Sequence, residues 1–214
     1  MEQKDIYELL AEKIGAAALG FTEAGVEPWA DVAPDGIAAA ALFLRDDARL
    51  QFNQLMCLSG LDWDGYDENG KGKSVAILGY NDDGSVESSD RVGEGDLGVA
   101  YHLYSHELKH KFTLRVRVPR ATPNVPTVST VWATAGWHER EAWDMLGIHF
   151  PGHQDLRRML LEESWVGHPL RKDYQMPEQW DGVQLKGENL IANPFPVTEP
   201  DPVDNSAGDQ PAEG

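Results

Sequence analysis

The sequence predicts an α+β fold: one mixed, mainly antiparallel sheet with helices packed on it, followed by an extended C-terminal arm. Three observations support it. Residues 97–104 and 112–118 alternate apolar and polar side chains, the mark of strands with one buried face. Residues 5–20, 35–47 and 128–146 repeat their apolar side chains at helical spacing. From Pro151 onward there are eight prolines and no sustained pattern of either period.

In chain order, Asp5 is the expected N-cap of a helix that buries Ile6, Leu9, Leu10, Ile14, Ala17 and Ala18 and stops at Gly20. Pro28 to Val32 reads as a short strand. Pro34 suits a first helical turn, with Ile37, Ala40, Ala41 and Leu44 on one face and Asp46-Asp47 closing it. Leu50 to Trp63 is apolar enough for core and reads as a turn entering a strand. Residues 62–96 hold ten acids against Lys71, Lys73 and Arg91 and one strand-like piece, Val75 to Tyr80; a hairpin with long solvated loops is expected. The two clear strands follow, turning at residues 106–110. Pro123 and Pro126 break the sheet, and the helix of 128–146 comes next, with Gly136 as a possible interruption. The chain thus divides into an α+β globular domain (1–150), an extended arm (151–198) and an acidic tail (199–214) whose five acids and absent bases predict disorder.

Composition excludes several functions. Lys+Arg 18 against Asp+Glu 36 gives a net charge of −18, which argues against nucleic acid or an anionic membrane surface as a direct partner. Cys57 is the only cysteine, so there is no internal disulfide and no four-thiolate metal or cluster site. The start lacks a signal peptide's cationic and apolar regions. The longest apolar run, Ile37 to Leu44, falls far short of the roughly 20 residues of a membrane helix.

The motifs that suggest enzymes fail on context. Gly93-Glu94-Gly95-Asp96-Leu97-Gly98 matches the dinucleotide fingerprint literally, yet it leaves a polar loop and opens a strand, and Glu94 and Asp96 would repel a pyrophosphate. His138-Glu139 begins a zincin-like motif whose second histidine position holds Ala142. His149 and His153 are separated by Pro151 and Gly152, so no helix face unites them. Cys57, among Leu55, Met56 and Leu58, reads as an ordinary buried thiol.

The last helix is less ordinary. Glu139 falls on the same stripe as Trp132, Trp143 and Leu146, and a charge there calls for a buried pairing or for a face that a partner completes. Arg140 and Asp144 have the spacing of a helical ion pair.

The run Glu139-Arg140-Glu141-Ala142-Trp143-Asp144-Met145-Leu146-Gly147-Ile148-His149-Phe150 is followed by Gly152-His153, Asp155-Leu156-Arg157-Arg158 and Gly167-His168-Pro169-Leu170-Arg171-Lys172-Asp173-Tyr174. This series closely resembles the signature of the 30 kDa subunit family of respiratory complex I, the C subunit of proton-translocating NADH–quinone oxidoreductase. The likeness extends to Leu42 to Asp47, Tyr101 to Ser105 and Pro123 to Val128, about residues 28–174 in all. Gln154, Trp143, Gly136 and Gln175 depart from the family's usual Pro, Tyr, Asn and Pro.

The resemblance implies a structural subunit of the peripheral arm that binds no cofactor, the FMN and iron–sulfur clusters lying in partner subunits. The implied partners are chiefly the large quinone-site subunit and the terminal-cluster subunit, at the cytoplasmic face of the cell membrane without insertion into it. A homologous subunit of a membrane-bound hydrogenase or another quinone- or ferredoxin-linked complex is the alternative; a stand-alone metal hydrolase or dehydrogenase is more remote. The expected interface residues are Glu139, Arg140, Glu141, Asp155, Arg157, Arg158, His168, Arg171, Lys172, Asp173 and Tyr174. The arm, without a period of its own, is expected to order on a partner, with Arg157 and Arg158 buried against partner carboxylates or carbonyls.

Overall fold

The computed structural model describes residues 1–23, 27–63, 77–80, 86–88 and 96–185. Helix α1 spans Gln3–Ile14, with Glu2 rather than Asp5 at its N-cap. Asp5 instead accepts the Glu2 N–H at 3.3 Å. The helix ends at Gly15, earlier than its periodicity suggests, and a 3₁₀ turn leads into strand β1, Ala18–Thr22. Strand β2, Trp29–Val32, follows. Pro34 opens a 3₁₀ turn that runs into helix α2, Ile37–Asp46, so both fall where the sequence places them.

Strand β3 is Gln54–Asp62. Strands β4 (Ile77–Tyr80) and β5 (Val86–Ser88) pair antiparallel, giving the expected hairpin in the acidic region. The loops around that hairpin, and Gly93 and Gly95 of the glycine motif, lie outside the described residues. Strands β6 (Asp96–Ser105) and β7 (His110–Pro119) form the long central hairpin in unbroken register from Asp96–Pro119 to Ser105–His110. The main sheet runs β1-β2-β7-β6-β3, antiparallel except for the β2–β7 pair.

One face of this sheet forms the core. Leu97, Val99, Tyr101 and Leu103 of β6 and Phe112, Leu114, Val116 and Val118 of β7 are all buried. Ile6 and Leu10 of α1 and Ile37, Ala40, Ala41 and Leu44 of α2 are buried in the same cluster. Removing each large side chain from water contributes about 1.5–3 kcal/mol. Cys57 lies on edge strand β3 beside a bulge and is half-buried, its Sγ 3.3 Å from the Ser59 hydroxyl.

Helix α3, Ala135–Leu146, begins later than the expected 128–146; the preceding residues make turns, tied down where Trp132 Nε1 donates to the Phe52 carbonyl at 2.9 Å. It packs on β3 at Gly60. A Cβ there would lie 2.5 Å from Leu146 Cδ1, so glycine lets helix and strand approach this closely without displacing that side chain.

The compact unit runs past residue 150, through Met1–Gln175. Met176–Gly214 forms a second unit, in which β8 (Gln179–Trp180) and β9 (Val183–Gln184) make a small hairpin around Asp181 and Gly182, both at positive φ. Residues 186–198 of the arm and the acidic tail lie outside the described residues. Among the described residues no helix is long and apolar enough to cross a membrane.

Candidate docking surface

Helix α3 buries three charged side chains, Glu139, Arg140 and Asp144. An uncompensated charge in such surroundings is costly, so each needs a partner. All three find one outside the helix.

Glu139 ties the preceding loop. Its Oε1 accepts the Val128 N–H at 2.7 Å, and its Oε2 accepts the Thr127 hydroxyl, with His153 Nε2 4.0 Å away. Burial raises its carboxyl above the usual range, although the Thr127 and Val128 hydrogen bonds and His153 oppose the shift. Arg140 reaches the segment that follows α3: Nε donates to the Arg157 carbonyl and Nη2 to the Arg158 carbonyl, each at 3.2 Å. Arg140 and Asp144 therefore do not form the helical ion pair that their spacing allows.

Asp144 organises residues 151–175, here called the strap. One carboxylate oxygen accepts Arg158 Nη1 at 2.8 Å. The other accepts three consecutive backbone N–H groups, from Met159, Leu160 and Leu161, at 3.0, 2.8 and 3.0 Å. Consecutive N–H groups converging on one anion form a nest. Burial alone would raise the Asp144 carboxyl; these N–H groups and the guanidinium outweigh it and hold the carboxyl below its usual value.

The open carbonyls at the end of α3 are met by the far end of the strap. His168 Nδ1 donates to the Asp144 carbonyl at 2.9 Å, the Leu170 N–H to Met145 at 3.0 Å, and Arg171 Nε to Leu146 at 2.6 Å. Both His168 and Arg171 sit against Gly147, which closes α3 at φ +70; a Cβ there would lie 2.6 Å from the His168 ring and 2.5 Å from Arg171 Nη2. Burial holds His168 below the usual imidazole range, and the Arg171 and Arg158 charges reinforce it against the opposing Asp144 carbonyl.

Arg158 Nη2 also donates to the Trp165 carbonyl at 3.0 Å, and Trp165 Nε1 donates to the Tyr174 hydroxyl at 3.0 Å. A last tie joins strap and sheet. Arg120 pairs with Asp62 and, at 3.0 Å, with Asp173, while Asp62 accepts the Lys172 N–H at 2.9 Å.

Several expected interface residues thus serve the chain itself. Glu139, Arg140, Arg158, His168, Arg171, Asp173 and Tyr174 all hold the strap or the loop before α3. Arg158 pairs with Asp144 of the same chain, its side chain 15% exposed. Arg157 is 66% exposed and pairs with Asp155 at 3.0 Å; Glu141 and Lys172 are also exposed. Asp62 and Arg120 were not singled out by sequence, since Asp62 is one acid among ten at the edge of a low-information stretch.

Three apolar side chains of the strap face solvent. Leu160 is 60% exposed, Val166 78% and Leu170 60%, and Trp137 on the first turn of α3 is 62% exposed. Leu156 packs against the core instead, and Asp155, Arg157, Glu162, Glu163 and Lys172 are exposed on the same strap. Among the described residues no group of three His, Cys, Asp or Glu side chains is placed to hold a metal ion.

Fold and site together define an α+β domain with a strapped C-terminal segment that exposes Leu160, Val166 and Leu170. The chain belongs to the family described as "Respiratory-chain NADH dehydrogenase, 30 Kd subunit", whose model matches residues 30–179. It is 37% identical over 183 residues to the NADH-quinone oxidoreductase C subunit of Chloroherpeton thalassium, covering 84% of this chain and 63% of that protein. It is 36% identical over 181 residues to the corresponding protein of Chlorobium phaeobacteroides, covering 84% and 92%. A solved structure of the membrane-bound sulfane sulfur reductase, an archaeal respiratory membrane complex, shares the fold with TM-score 0.52 at 20% identity, over 81% of this chain and 85% of that one.

Proposed function

We propose that this chain is a cofactor-free structural subunit of the peripheral arm of a proton-translocating NADH–quinone oxidoreductase. It supports electron transfer from NADH to quinone through FMN and iron–sulfur clusters held by other subunits. Its partners are chiefly the large quinone-site subunit and the terminal-cluster subunit, and it sits at the cytoplasmic face of the membrane as a peripheral protein. The observation that carries this reading is the family match over residues 30–179, which takes in α3 and the whole strap. The exposed Leu160, Val166 and Leu170 of that strap support a role in assembly, since such surface is costly to leave in water.

Affinity purification of the tagged full chain from native membranes tests the assignment. The other peripheral-arm subunits should co-purify in stoichiometric amounts, while the chain purified alone should contain no stoichiometric flavin, iron or zinc. Purification of the chain from those membranes without any such subunit, or with a tightly held cofactor of its own, contradicts it.

A further inference from the structure

Taking that assignment as its footing, we infer that the outer face of the strap is a pre-formed docking surface for one protein subunit whose own face is apolar at the centre and cationic at its edge. Its anchors are Leu160, Val166 and Leu170, with Trp137 on the adjoining turn of α3, each at least 60% exposed. Exposed apolar surface of this kind is what a protein partner covers. Asp144 and Arg140, by contrast, are buried. Asp144 and Arg140 hold the strap backbone from beneath, and the Leu170 N–H is fixed on the Met145 carbonyl at 3.0 Å.

The backbone that displays the anchors is thus already hydrogen-bonded within the chain, so docking needs little further ordering and loses little conformational entropy.

Charge selects the occupant. Glu162 and Glu163 lie between Leu160 and Val166, and Glu141 lies on α3; all three are exposed. A partner with a cationic edge meets them favourably and is steered by them. A second copy of this chain would bring the same acids against them, and an anionic membrane surface would be repelled.

The full chain with Leu160→Ser, Val166→Ser and Leu170→Ser together is compared with wild type for retention of NADH–quinone oxidoreductase subunits from native membranes. Wild type retains them, and the triple variant retains about tenfold less or lower still. Its isolated melting temperature and its amide exchange at residues 159–161 stay unchanged. Undiminished retention by a folded triple variant overturns the docking surface and leaves the assignment standing. Absence of those subunits from the wild-type sample overturns the assignment itself. Should the triple variant unfold, a photo-crosslinking side chain at position 166 of the otherwise native chain answers the same question. Cross-links to a subunit of the complex support the surface; cross-links only to lipid or to a second copy overturn it. Glu162→Lys with Glu163→Lys lowers retention if the partner's edge is cationic, and undiminished retention overturns that part.

Discussion

Asp144 and Arg158 meet at 2.8 Å across the join between helix and strap, the carboxylate fully buried and the guanidinium side chain 15% exposed. The pair is one corner of a larger arrangement, because the second Asp144 oxygen holds the N–H groups of the three residues after Arg158. One side chain thereby sets the path of four consecutive strap residues.

Replacing it should open the strap. Asp144→Asn removes the charge that makes these hydrogen bonds strong, at a cost of roughly 2–4 kcal/mol. Amide exchange at Met159, Leu160 and Leu161 should accelerate in the isolated chain. The pH dependence follows from the lowered carboxyl: its stabilisation is fully present above the unfolded value and is lost as pH falls through the folded one. Wild type should therefore lose strap protection on acidification below the usual carboxylate range. The variant should show little further change. Equal protection in both proteins at neutral pH would refute the role given to Asp144.

The two neighbouring arginines should separate in their effects. Arg157→Ala breaks an exposed pair and should change stability by less than about 1 kcal/mol. Arg158→Ala strips a buried carboxylate of its cation and should cost roughly 2–3 kcal/mol, softened by the N–H groups that remain. Chemical denaturation of the two single variants decides this, and equal losses would contradict the geometry.

Glu139 should show a pH dependence of the opposite sign. Its folded-state carboxyl is raised, chiefly by burial, so its contribution is greatest below the unfolded value and declines as pH rises through the folded one. Glu139→Gln keeps an oxygen for Val128 or Thr127 and cannot ionise. Comparing melting curves from mildly acidic to neutral pH, the stability difference should move in favour of the variant as pH rises. A move in favour of wild type would show that the hydrogen bonds, not burial, dominate at this carboxylate.

How legible the molecule was in its sequence depended on what enforces each part. Strands β6 and β7 announce themselves because one face of each packs the core, which imposes the alternation of Leu97, Val99, Tyr101 and Leu103. The end of α1 was hidden, since Ala17 and Ala18 continue its apolar spacing beyond Gly15. Val128 and Trp132 likewise extend the helical period of α3 backward into turns. Asp181-Gly182 is a hairpin signal, but the two-residue strands beside it are too short to show a period. In the site, Glu139 was readable as a charge on an apolar stripe that demanded a partner. The partners of Arg140 and Asp144 were not, because both lie on a strap whose return to α3 is a tertiary event that leaves no periodic trace. The outward Leu160, Val166 and Leu170 followed no period for the same reason.

NADH-driven quinone reduction by membranes lacking this chain tests the central assignment most directly. Deleting the chain should abolish that activity together with the assembled peripheral arm, and supplying the wild-type chain should restore both. Membranes that reduce quinone with NADH at an undiminished rate through a fully assembled complex lacking this chain would contradict its place as a structural subunit.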